Sequence, residues 1–297
     1  MEMAQAKVNN NKYLWYLTWA LILVGAVFAG VQAMQEKGPV VRWQRVAMDG
    51  HRTGAKPVTV DNLAESLGSF DDEGYLTPSG VRYEEGSSVA QVAQELMEVQ
   101  PQLSYLKQVV GHSADMYMNL RTQPDLPLGN LVADAIREYG SRYFHVPMDF
   151  SLTNFGGIRT PMPKGGVTLD DISSMFPFKN YLCHVRMKGA SLQKLLEQLS
   201  GTKAFQAVSG CEVKVQGGKL ESALVGGKPI DPERVYNVTS IDFLLDGGDK
   251  INLGALAESV TLSHVLVKEA ILDYVKRTEA EGKLIEAKSD GRVIMED

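Results

Sequence analysis

The stretch 181–201, YLCHVRMKGASLQKLLEQLSG, changes its period midway. In its first part Cys183, Val185 and Met187 alternate with His184, Arg186 and Lys188. That is the period of two expected of a strand with one buried face. Beyond Gly189 the apolar residues Leu192, Leu195, Leu196 and Leu199 share one helical face, so a helix is predicted over 190–199, stopped by Gly201. A strand that runs directly into an amphipathic helix is a building unit of layered α and β domains.

The same alternation continues on both sides. In CEVKVQ, Cys211, Val213 and Val215 face one way and Glu212, Lys214 and Gln216 the other. Both cysteines therefore belong on buried strand faces as small core residues, and a disulfide between them stays open. The run YNVTSIDFLL, 236–245, is apolar enough for a fully buried strand. A helix is predicted near 128–139 on Leu128, Leu131, Val132, Ala135 and Ile136, and another over roughly 262–278 on Val265, Leu266, Ile271 and Val275. Upstream, Val89, Val92, Ala93, Leu96 and Met97 form the stripe of a further helix, capped by Ser87-Ser88 and ended by Pro101. Residues 37–86 read as short extended pieces and turns. No internal repeat or low-complexity tract is present.

Composition narrows the function classes. The chain has 297 residues, 44% hydrophobic and 22% charged, an ordinary globular mixture for one or two domains. Lys and Arg number 30 against 36 Asp and Glu, with no basic run, which argues against a nucleic-acid partner. With 2 Cys and 5 scattered His, a disulfide framework and a Cys-rich zinc site are both excluded.

Residues 13–31, YLWYLTWALILVGAVFAGV, carry no charge and follow Lys7 and Lys12. At about 1.5 Å rise per residue, such a run nearly spans a hydrocarbon core of about 30 Å. The lysines place the following residues outside the cytoplasm. Residues 1–36 are thus expected to be a membrane anchor, or alternatively a signal peptide cleaved near Val31-Gln32-Ala33 with the remainder secreted.

Three polar clusters, two of them Gly-rich, interrupt the core pattern. In 153–160, TNFGGIRT, the paired Gly156 and Gly157 allow close backbone approach to a ligand, and Arg159 offers a planar fork for phosphate or carboxylate. In 176–180, FPFKN, an aromatic next to Pro with Asn180 two residues on suits stacking on a base. In 242–250, DFLLDGGDK, Asp249 after Gly247-Gly248 suits sugar hydroxyls. Each also has a plain structural reading: a surface turn, a core aromatic and a hairpin turn. No P-loop, HExxH, HxH or GxSxG motif is present, and no set of Asp, Asn and His for a two-metal centre can be assembled.

In order, DLPLGNLVADAIRE (125–138), TNFGGIRTP (153–161), GGVTLDDISSMFPFKN (165–180), VRMKGASLQKLLE (185–197) and YNVTSIDFLLDGGDK (236–250) resemble the C-terminal, substrate-binding domain of the 5′-nucleotidases, a family that includes periplasmic UDP-sugar hydrolases. The resemblance covers roughly residues 108–275. It implies a layered α/β/β/α fold of the α+β class for residues 108–297, preceded by an extension over 37–107. It also implies that Phe178 and Phe243 sandwich a base and that Arg159 faces the phosphate. Asn154 and Asn180 would make base-side contacts and Asp249 a ribose contact, with Gly156, Gly157, Gly247 and Gly248 shaping the loops. Two positions depart from the family: Pro124 stands where it has an Arg before LGN, and Lys250 where it has a Gly.

The family's catalytic His and two metals belong to an N-terminal metallophosphatase domain, whose motifs residues 37–107 lack. The expectation is therefore a nucleotide- or nucleoside-binding component with no catalytic residue and no metal of its own. Divalent metals would sit on a separate metallophosphatase subunit. The alternatives are a self-sufficient 5′-nucleotidase or UDP-sugar-type hydrolase, and a degenerate membrane-anchored scaffold.

Overall fold

A computed structural model describes residues 62, 64–120 and 123–296. The expected membrane or signal segment over 13–31 lies outside the described residues. Among those that are described, no helix is long and apolar enough to cross a membrane.

The first described residues build a small meander: β1 (Ser69–Asp71), β2 (Gly74–Leu76) and β3 (Arg82–Tyr83), paired antiparallel in that order. Helix α1 (Ser88–Leu103) follows, with the Ser87 side chain accepting from the Ala90 amide at 3.2 Å. Pro101 lies inside this helix rather than at its end, and a 3-10 turn, Ser104–Lys107, continues it. The expected apolar stripe is split between two faces, with Ala93 and Met97 packed inward and Val89, Val92 and Leu96 outward. Ala90 and Ala93 are buried with Tyr75, whereas Val89, Val92 and Leu96 are 44%, 57% and 51% exposed. Tyr75 and Tyr83 of the meander fill the inner space against Ala90 and Ala93, with Met97 packed beside them.

The main body then runs β4 (Val109–Ser113), α2 (Pro127–Tyr143), β5 (Phe150–Thr153), β6 (Gly165–Thr168), α3 (Leu169–Met175), β7 (Tyr181–Lys188) and α4 (Gly189–Ser200). It continues through β8 (Ala207–Ser209), β9 (Cys211–Gln216), β10 (Lys219–Val225), β11 (Lys228–Pro229) and β12 (Val235–Ile241). It closes with the short α5 (Leu253–Leu256), β13 (Ser259–Leu266), α6 (Val267–Ala280) and β14 (Val293–Glu296).

Five strands form the central sheet in the order β13-β7-β12-β5-β8, with β5 and β12 parallel and every other pair antiparallel. Helix α2 lies on one face. The Ser151 hydroxyl donates to the Ala133 carbonyl at 2.7 Å, and Gly140 meets Thr239 so closely that a Cβ would come within 2.1 Å of its hydroxyl. The alternating positions Phe150, Leu152, Cys183, Val185, Met187 and Val238 join one apolar core with Leu192, Leu195, Leu196 and Leu199 of α4. Helix α4 also packs on β10 of a second sheet, β11-β10-β9-β14. The mixed α and β layering expected from the sequence is therefore present.

Two local expectations change. The segment expected as a helix from 262 onward begins as strand β13 and turns helical only at Val267. Val265 and Leu266 fit either period, and antiparallel pairing with β7 decides for the strand. Gly247-Gly248 do not close a hairpin; they lie between two 3-10 turns, Asp242–Leu244 and Gly248–Lys250. Cys183 and Cys211 are both buried free thiols, and burial pushes each up to about 12.

Candidate functional site

The three polar clusters converge at one end of the central sheet, where β5 and β12 finish and β7 begins. The strands are neighbours in the sheet, so turns far apart in the chain meet there.

Asn154 follows β5 and is 4% exposed. Its Nδ2 donates to Asp249 Oδ2 at 2.6 Å. A carboxylate only accepts, so this contact fixes which way the amide faces. Asn154 Oδ1 is left buried without a hydrogen-bond partner. A Cβ on Gly157 would stand 2.9 Å from that oxygen, and one on Gly156 would stand 3.1 Å from Nδ2 and 3.2 Å from Asp249 Oδ2. The glycine pair thus lets the turn close down on the amide and the carboxylate together.

Phe178 and Phe243 are 49% and 45% exposed, while their neighbours Phe176 and Leu244 are buried. The core-aromatic reading therefore applies to Phe176 and not to Phe178. The Arg159 guanidinium lies 5.6 Å from the centre of the Phe178 ring, a cation–π arrangement, and its Nη1 donates to the Gly156 carbonyl at 3.3 Å. Phe178 and Asn180 line a small pocket together with Thr153, Asn154, Gly157 and Phe176. Phe243, Arg159 and Asp249 are not in that lining; they flank it through their neighbours.

Phe243 is placed by two contacts. Asp242 Oδ1 accepts from the Phe243 amide at 2.9 Å and from the Tyr181 amide at 3.0 Å, which ties the end of β12 to the start of β7. Gly248 lies against the ring, where a Cβ would come within 2.6 Å of it. Gly247 has φ 97°, and Asp249 and Lys250 follow with φ 49° and 65°. Non-glycine residues in the left-handed region cost about 1–3 kcal/mol each and concentrate at functional sites. The Lys250 carbonyl accepts from Gln198 Nε2 at 2.5 Å, which helps to hold the loop.

Three contributors carried no sequence signal. Asp242 was visible only as part of its cluster. Gln206, whose Oε1 accepts from the Phe155 amide at 2.9 Å, and Asn119, which donates to the same turn, are single polar residues in unpatterned segments. Among the described residues no group of three or more His, Cys, Asp or Glu is placed to hold a metal.

Comparison with known proteins identifies the family and the fold. The model of the 5′-nucleotidase C-terminal domain matches residues 109–256. A cell wall protein of Listeria monocytogenes, Lmo0130, is 31% identical over 183 residues, 56% of this chain and 23% of its own. The snake venom 5′-nucleotidase of Macrovipera lebetinus is 29% identical over 215 residues, 62% of this chain and 52% of its own. The crystal structure of a 5′-nucleotidase precursor from Thermus thermophilus superposes with a TM-score of 0.60 at 26% identity, over 75% of this chain and 45% of that one. The chain thus spans about half or less of the length of these relatives. Fold, motif order and family match agree, and the chain belongs, through residues 109–256, to the 5′-nucleotidase C-terminal domain family.

Proposed function

We propose that this chain is the nucleotide- or nucleoside-binding component of a 5′-nucleotidase-type phosphohydrolase system, acting with a separate metallophosphatase chain that carries the divalent metals. The observation that carries the reading is the buried, unpartnered Oδ1 of Asn154, a residue that lines the small pocket together with Phe178 and Asn180. A buried acceptor left unmade costs about 1–3 kcal/mol, and a ligand N–H or amine removes that cost. Nucleobases supply such donors on a flat aromatic frame that stacks on exposed phenylalanines. Asp249 keeps lone pairs for ribose hydroxyls beyond the one that Asn154 uses. Arg159 is the cation nearest the turn and suits the phosphate.

Calorimetric titration with adenosine, uridine and AMP tests this. Wild-type protein is expected to bind, and Asn154→Leu to bind roughly 5- to 150-fold more weakly, from the loss of one buried hydrogen bond. No heat with any nucleoside at millimolar concentration, or unchanged affinity in the variant, would overturn the proposal.

We also propose that residues 13–31 anchor the chain with residues from about 37 onward outside the cytoplasm. Support comes from the charge-free run after Lys7 and Lys12, and from relatives named for a cell wall and a venom. A reporter that fluoresces only in the cytoplasm, fused after Asp297, is expected to stay dark. A bright fusion refutes the export.

A further inference from the structure

Asn119 lies in the stretch between β4 and α2, outside every motif that carries the family resemblance. Its Nδ2 donates to the Phe155 carbonyl at 2.8 Å and to the Ile158 carbonyl at 2.7 Å. These two carbonyls bracket Gly156 and Gly157, so one side-chain amide spans the glycine pair. Both amide hydrogens are used. The reverse orientation would set the amide oxygen against two carbonyl oxygens, so the assignment is fixed. Asn119 Oδ1 is left buried and unpartnered. A side chain serving packing alone would be expected to have that acceptor matched, since such orphans are rare and unfavourable.

The surrounding contacts define what this strap adds. Its own segment is pinned by reciprocal backbone bonds between Tyr117 and Met162, each 3.0 Å. The turn is held at its start by Gln206 and at its end by the Arg159 amide, which donates to the Met175 carbonyl at 2.9 Å. Between those anchors stand two glycines, the residues with the widest backbone freedom. We infer that Asn119 is a positioning residue of the ligand site. By holding the carbonyls on both sides of Gly156-Gly157 it sets the turn against the Asn154 amide and aims Arg159. The ligand in this statement rests on the nucleotide reading above; the strap itself does not.

The experiment pairs hydrogen exchange on the ligand-free full chain with calorimetric titration of adenosine and AMP, in Asn119→Ala and in the near-isosteric Asn119→Asp. Both variants are expected to speed exchange at the amides of residues 157–159 while leaving α2 and β12 as in wild type. Both are expected to raise the dissociation constant roughly tenfold, as the turn loses two hydrogen bonds. Wild-type affinity in Asn119→Asp would overturn the inference, because that variant keeps the shape but replaces the donor with carboxylate oxygens facing the two carbonyls. So would unchanged exchange in the turn. Should both variants unfold globally, Asn119→Ser, which keeps one donor, decides. Locally faster exchange with weaker binding supports positioning, and wild-type affinity refutes it. If wild-type protein binds no nucleoside, the functional reading fails, while the exchange measurement still decides whether the strap holds the turn.

Discussion

Incubated with AMP and Mg²⁺, Mn²⁺, Zn²⁺ or Co²⁺, the 297-residue chain alone is expected to release no phosphate above the buffer rate. Phosphate-monoester hydrolysis is among the slowest uncatalysed reactions, with enzymic accelerations of up to about 10²¹-fold. Such rates require a strong nucleophile at neutral pH and neutralisation of the leaving oxygen, which a two-metal centre supplies together. The described residues offer a different inventory. The exposed Arg159 can position a phosphate, but it cannot generate hydroxide. His112 pairs with Glu279 at 3.0 Å and His184 with Asn237 at 3.0 Å, so in these bonds neither imidazole is partnered with a residue of the three clusters. Phosphate release measured colorimetrically is the check. Adding the metallophosphatase half of a 5′-nucleotidase is expected to restore turnover, and Arg159→Ala to lower the restored rate. Metal-dependent AMP hydrolysis by the lone, contaminant-free chain would instead make it a self-sufficient enzyme.

Removing either exposed ring is the second large effect. Stacking of a base on an aromatic side chain is worth about 1–3 kcal/mol by alanine substitution. Phe178→Ala and Phe243→Ala are therefore each expected to weaken nucleoside binding by roughly 5- to 150-fold. Phe243 has the further task of covering Gly248, so its truncation also loosens the loop that presents Asp249 and belongs at the upper end of that range. Both side chains are about half exposed in the free protein, so little buried area is lost and the melting temperature is expected to stay close to wild type. Calorimetry and thermal melts on the same preparations separate the two quantities. Unchanged affinity in both variants would remove the base clamp from the proposal.

How much of this was legible beforehand depends on what each residue's pattern encodes. The leucines of α4 and the stripe of α2 were readable because large apolar residues at helical spacing face the core. The stripe of α1 was readable as a period but not as a direction. Its valines point outward because Tyr75 and Tyr83, on the meander just before the helix, occupy the space beneath Ala90 and Ala93. Val265 and Leu266 satisfy both a helical and a strand pattern, and only the presence of β7 beside them settles it. The turns at the candidate-site end of the sheet are visible in the sequence as polar, partly Gly-rich breaks in the core pattern. Their supports are not. Asn119, Gln206 and Asp242 act through backbone atoms of other segments, and no local spacing announces such a partner.

The Asn154–Asp249 bond joins residues 95 positions apart, and the Tyr181–Asp242 bond joins residues 61 apart. These two bonds at this end of the sheet are therefore long loop closures, and the entropy of those closures must be met before either contact exists. A chain emerging N-terminus first carries Asn154 long before Asp249 has been made. Residues 154–180 carry Asn154, Arg159, Phe178 and Asn180, but Phe243 and Asp249 join them only once β12 lies between β5 and β7. Under the proposed reading, nucleoside would act on the way out rather than the way in: it would slow unfolding of the finished domain and leave the slow, non-local search that built it unassisted.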